Sequence, residues 1–124
     1  MLSYYQKAVK LTTLTGPTYF AETLKRFLYI VKREQEMVDF CQLYYIFVII
    51  TDGCIHDMKE TVKTVVDMSY LPVSIIIIGI GDADFRSMEI LDADEKSLVD
   101  YMNRTAARDI VQFVPIEDLR EMSK

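Results

Sequence analysis

Two unbroken apolar runs constrain this chain more than any other feature: LYYIFVII at residues 43–50 and VSIIIIGIG at 73–81. Each is far shorter than the roughly 20 residues that a membrane-crossing helix needs. Both are crowded with β-branched and aromatic side chains, which suit strands. A strand with one wet face alternates apolar and polar residues. These runs do not alternate, so they read as parallel strands covered on both faces. Between them, Asp57-Met-Lys-Glu60 has the spacing of a capping box with Asp57 as the cap. Met58, Val62, Val65 and Val66 carry a helix from there to about Tyr70, and Leu71-Pro72 ends it.

The rest of the chain fits around that unit. LTTLTGPT is breaker-rich and reads as a loop. From Pro17 to Arg33, Phe20, Ala21, Leu24, Phe27, Leu28 and Val31 recur at helical spacing, which predicts one buried face. After the second strand, the acidic stretch to about residue 100 reads as a short helix with exposed loops. IVQFV (110–114) is a third strand, and Pro115 opens a terminal helix over IEDLREMSK. Alternating helices and strands imply an α/β fold with a mainly parallel sheet and right-handed crossovers. Three strands make a thin sheet, and the first would be an apolar edge able to pair with another chain.

Composition narrows the functional classes. A chain of 124 residues is one domain at most. At 51% hydrophobic and 27% charged it should bury a core. The first ten residues, MLSYYQKAVK, lack the apolar stretch of a signal peptide, so a soluble cytoplasmic protein is expected. The net charge of -5 is concentrated in residues 82–100, which hold seven Asp/Glu against Arg86 and Lys96. Nucleic-acid backbones and anionic membranes both demand clustered positive charge, so neither is an expected partner. Cys41 and Cys54 have no CxxC spacing, which argues against a disulfide framework or a zinc site. His56, the single histidine, reads as an ordinary surface or helix-start residue.

Ligands of open α/β sheets gather beyond the carboxyl ends of the strands. Asp52 lies there, just past the first apolar run, and Thr18 sits in the loop that opens the preceding helix. A carboxylate and a hydroxyl are hard oxygen donors suited to Mg²⁺, Mn²⁺ or Ca²⁺, although two side chains alone make a weak site. Each residue also has a purely structural reading. Thr18 is placed as an N-cap, and Asp52-Gly53 is a common turn in which Asp bonds its own backbone. Gly79-Ile-Gly81 lacks the third glycine of a dinucleotide loop, and Asp84 stands in its place. The acidic run 82–100 lacks the spacing of a calcium-binding hand loop and reads as a solvated face ahead of a cation site. No nucleophile triad can be assembled around His56, and no serine sits in a GxSxG elbow.

LTGPTYF before an amphipathic helix, then YYIFVIITDGCIHDMKET, SYLPVSIIIIGIGDADFRSMEILDAD and ARDIVQFVPI, resemble the copine family in that order, from about Tyr4 to Glu117. The resemblance is to the C-terminal portion of the A domain, a relative of von Willebrand factor A and integrin I domains, and it spans residues 1–124 as a single domain. It implies a partial doubly wound fold with N-terminal strands missing. It also implies a metal-ion-dependent adhesion site. The family's second-loop Thr maps onto Thr18 and its third-loop Asp onto Asp52, whereas its first motif, DxSxS or DxTxS, is absent from residues 1–124.

Mg²⁺, Mn²⁺ or Ca²⁺ is therefore expected in the complete domain, with none assigned to this chain alone. The implied function is a non-enzymatic interaction module that recruits target proteins. In this family calcium-dependent phospholipid binding belongs to C2 domains, which have no counterpart here, so membrane association would come only through them. A homodimer through the exposed strand edge is a further expectation. The alternatives are a Mg²⁺-dependent phosphotransferase or hydrolase, for which an Asp at a strand end is also a starting point, and a truncated fragment with no activity of its own.

Overall fold

The computed structural model describes residues 2–13, 16–37, 43–94 and 96–116. Its elements are α1 (Leu2–Leu11), α2 (Ala21–Met37), β1 (Tyr45–Thr51), α3 (Met58–Met68), β2 (Val73–Gly79), α4 (Arg86–Asp92) and β3 (Val111–Pro115). The strands form a parallel sheet in the order β1-β2-β3. A parallel pair needs a crossover, and α3 and α4 supply the two. This is the α/β architecture that the sequence implies, consistent with part of a von Willebrand factor A-type sheet.

Register decides which residues share a face. Tyr45, Phe47 and Ile49 lie opposite Val73, Ile75 and Ile77, and Ile75 and Ile77 lie opposite Val111 and Phe113. Helix α2 covers this face. Phe27 stacks on Phe47 with centroids 4.4 Å apart and meets Tyr45 edge-on at 6.2 Å. Leu24 and Val31 of α2, Val65, Val66 and Met68 of α3, and Met88 and Leu91 of α4 complete a single buried cluster. Burying each such side chain is worth about 1.5–3 kcal/mol. Gly79 closes β2 for a packing reason. A β-carbon there would sit 2.9 Å from Phe113 Cε2 and 3.0 Å from Phe85 Cζ, inside contact distance of two rings. Gly81 instead supplies a turn with φ +84°.

Three expectations need correction. The first strand is not covered on both faces: Ile46, Val48 and Ile50 are 63%, 49% and 65% exposed. Helix α1 was not expected, and it buries none of its residues. Pro115 ends β3, Ile116 after it is helical, and the rest of the helix expected over IEDLREMSK lies outside the described residues.

The acidic run is not simply a solvated face, because Asp92 and Asp100 are buried. Asp100 accepts the backbone N–H groups of Met102 and Arg104, each at 2.9 Å, and the Arg104 guanidinium at 2.8 Å. Arg104 reaches on to Asp67 at 2.7 Å and so ties this loop to α3. Among the described residues no helix is long and apolar enough to cross a membrane.

Candidate functional site

The loop after β1 and the loop before α2 meet at the carboxyl end of the sheet. Two hydrogen bonds join them, one between backbones and one to a side chain. The His56 N–H donates to the Thr18 carbonyl at 3.0 Å, and the Thr18 N–H donates to His56 Nδ1 at 3.1 Å. Because Nδ1 accepts, the proton of the neutral ring is on Nε2. His56 is therefore more than a surface residue: it fastens the loop that carries Thr18. Its Nε2 lies 3.8 Å from the exposed Cys54 Sγ, and Cys41 lies outside the described residues.

The structure then separates the jobs that the sequence had merged. Asp57, expected to cap α3, makes no side-chain bond to that helix's first amides. Its carboxylate crosses to α2 and accepts the N–H groups of Phe20 at 2.9 Å and Ala21 at 2.8 Å, with the Thr61 hydroxyl at 3.2 Å. An anion at a helix start satisfies orphan donors and complements the macrodipole. A local capping-box pattern loses here because a longer-range partner offers two amides at once.

With Asp57 in that role, Thr18 has no capping work to do. Among the described residues its hydroxyl makes no hydrogen bond. The turn after β1 likewise does not use Asp52. The Gly53 N–H points to Thr51 Oγ1, at a long 3.4 Å, and Asp52 is exposed with no hydrogen-bond partner among the described residues. Both structural readings are thereby overturned. A β-carbon on Gly53 would lie 3.5 Å from Thr18 Oγ1, so the hydroxyl abuts the residue that follows Asp52. A hydroxyl and a carboxylate, both unspent, share one loop end. They fit a hard cation in kind but not in number, because among the described residues Asp52 belongs to no cluster of three or more His, Cys, Asp or Glu ligands. A cavity of about 260 Å³ runs from Thr18 along β1 to Thr51.

A model of the copine family, described as "Copine", matches residues 1–124. The chain belongs to the copine family. It is 41% identical over 115 residues to Copine-C of Dictyostelium discoideum, which covers 93% of this chain and 21% of that protein. It is 40% identical over 121 residues to Protein BONZAI 1 of Arabidopsis thaliana, covering 97% and 21%. Nicotinic receptor-associated protein 1 of Caenorhabditis elegans is 40% identical over 118 residues, covering 95% and 18%. This copine chain thus spans about a fifth of the length of these curated relatives.

Proposed function

We propose that this copine chain is part of a non-enzymatic protein-interaction module, the A domain, in which Thr18 and Asp52 are two ligands of a metal-ion-dependent adhesion site. In the complete domain the cation, Mg²⁺, Mn²⁺ or Ca²⁺, would supply an open coordination position for a carboxylate of a target protein. The observation that carries the reading is the pair of unspent oxygens at the carboxyl end of β1. Neighbouring residues have taken over the capping and turn-forming work that would otherwise occupy them. The name of one relative, nicotinic receptor-associated protein 1, is in keeping with an interaction role.

The phosphotransferase reading needs a second carboxylate beside Asp52. Asp57, the nearest in sequence, has both oxygens committed to the α2 amides, so the interaction reading is preferred. A cytoplasmic setting, with membrane contact made by C2 domains elsewhere in the polypeptide, accompanies this proposal. So does pairing of the free β1 edge with a second copy.

The test uses the intact copine as bait, with and without EDTA, alongside its Asp52→Ala form. Targets lost both on chelation and in the variant support the metal-dependent site. An identical set of targets in all three samples overturns it. Sedimentation velocity over a wide concentration range checks the strand-edge dimer, and a clean monomer throughout removes it.

A further inference from the structure

The amino end of the sheet holds a second group of oxygens. Asp92 closes α4, Ala93 turns the chain with φ 52°, Asp94 follows, and Asp109 stands just ahead of β3. Each of the three acids offers a carboxylate oxygen, and these oxygens all lie within 4.8 Å of one another. Two oxygens bound to one Ca²⁺ at 2.3–2.6 Å can be at most about 5 Å apart, so the three sit within reach of a single ion.

An acidic cluster in water would carry no weight, but Asp92 is not in water. It is 8% exposed. Gln112 Nε2 donates to its Oδ2 at 3.1 Å, while its buried Oδ1 has no hydrogen-bond partner. A buried carboxylate oxygen left unpaired costs about 1–3 kcal/mol or more and calls for an explanation. Asp109 is likewise oriented: its Oδ1 accepts the Val111 N–H at 3.1 Å. One carboxylate is thus steered by Gln112 and another by a backbone amide, with oxygens of all three acids gathered around one point.

A cavity of about 300 Å³ opens at this place, lined in part by Ala93, Asp94 and Asp109, and it gives an ion and its waters a way in. Two cations line the same cavity, Lys96 and Arg108. The Arg108 guanidinium is tied to the carbonyls of Leu71 at 2.6 Å and Val73 at 2.7 Å, so it does not neutralise Asp92.

We infer that Asp92, Asp94 and Asp109 form a binding site for a hard divalent cation of the Ca²⁺ class, at the end of the sheet opposite Thr18 and Asp52. The site needs nothing from the adhesion-site reading. Its ligands are oxygens alone, which excludes soft metals. Ca²⁺ also tolerates an irregular three-carboxylate set completed by water better than Mg²⁺ does.

Calorimetric titration of Ca²⁺, and separately of Mg²⁺, into the full chain tests this, with thermal melting at each metal concentration as a second readout. The samples are the unaltered chain, Asp94→Asn, Asp109→Asn and Asp52→Ala. The expected result is one Ca²⁺ site, kept in Asp52→Ala and weakened by about tenfold or more in both Asn variants, because affinity follows ligand charge. Melting temperature should rise with Ca²⁺ in the unaltered chain and in Asp52→Ala only. Absence of Ca²⁺ binding at millimolar concentration overturns the inference. So does binding that disappears in Asp52→Ala and survives in both Asn variants. Asp94 is exposed, so Asp94→Asn should fold even if Asp109→Asn does not, and it then decides the matter alone.

Discussion

Asp52 at the carboxyl end of the sheet and Asp92 at the amino end are both unpaired acids, yet they mean different things. Asp52 is exposed, and an unpaired carboxylate in water costs nothing. Its significance comes from its neighbours, because Asp57, His56 and Thr51 do the local structural work and leave Asp52 and Thr18 free. Asp92 is buried, half satisfied by Gln112 and half orphaned. Its significance comes from its own energetics. One end is a site inferred from what is left over, and the other is a site inferred from what is unsatisfied.

The largest effect that separates the two ends should come from Asp57→Ala. Removing an acceptor shared by two helix-start amides is expected to cost about 2 kcal/mol in urea unfolding. It should also loosen the Thr18 loop, seen as faster amide exchange at Phe20 and Ala21, while Ca²⁺ binding at the amino end stays unchanged. An equal loss of Ca²⁺ binding would show that the two ends are not independent.

Gly79→Ala drives a methyl against Phe85 and Phe113. It is expected to cost about 1.5 kcal/mol, within the usual range for overpacking, and chemical denaturation measures it.

A smaller change of opposite sign is expected for Asp92→Asn. Burial pushes the Asp92 carboxyl above its ordinary pKa, partly offset by the Phe113 amide, which does not reach hydrogen-bond geometry. Asp94 and Asp109 push it further up. Gln112 bonds it, and Lys96 and Arg108 are the cations lining the adjoining cavity. A raised carboxyl pKa means that the folded state holds its proton more tightly than the unfolded chain. The contribution to stability is therefore complete below the unfolded value of about 4 and is lost as pH rises through the folded value. Asp92→Asn should melt higher than the unaltered chain near neutral pH, with the gap closing as pH falls toward 4. Saturating Ca²⁺ should also narrow the gap, because the ion offsets the penalty that the substitution removes.

The smallest effect belongs to Asp52→Ala. An exposed side chain with no bond to lose should leave unfolding unchanged within about 0.5 kcal/mol. A larger loss would mean that Asp52 holds the loop together and is not a spare ligand.

The sheet was legible because β1 and β2 are runs of strand-forming side chains bounded by Asp-Gly, Pro and Gly. Their cover was not. A run apolar on both sides records that both faces are compatible with burial, and Ile46, Val48 and Ile50 are exposed all the same. Helix α1 escaped notice because it buries nothing, and helix reading relies on an apolar stripe meeting a core.

At the carboxyl end, Thr18 and Asp52 could be named from hard-oxygen chemistry and family resemblance. The roles of His56 and Asp57 could not, since their partners lie 36 to 38 residues away. At the amino end, the spacing of Asp92 and Asp94 was in plain view. What makes it informative, Gln112 and Asp109 brought alongside by β3, arises only when the sheet is assembled.

The non-local cap on α2 also sets an order of events during folding. A helix with its own cap can begin as soon as a few neighbouring residues turn, whereas the first turn of α2 waits for a carboxylate 36 to 37 residues downstream. Closing that loop is an entropic barrier that local propensity cannot remove. The start of α2 should therefore become protected together with the start of α3, after the rest of the helix has formed. In a pulse-labelling experiment the Phe20 and Ala21 amides would serve as a clock for the docking of two segments far apart in the chain.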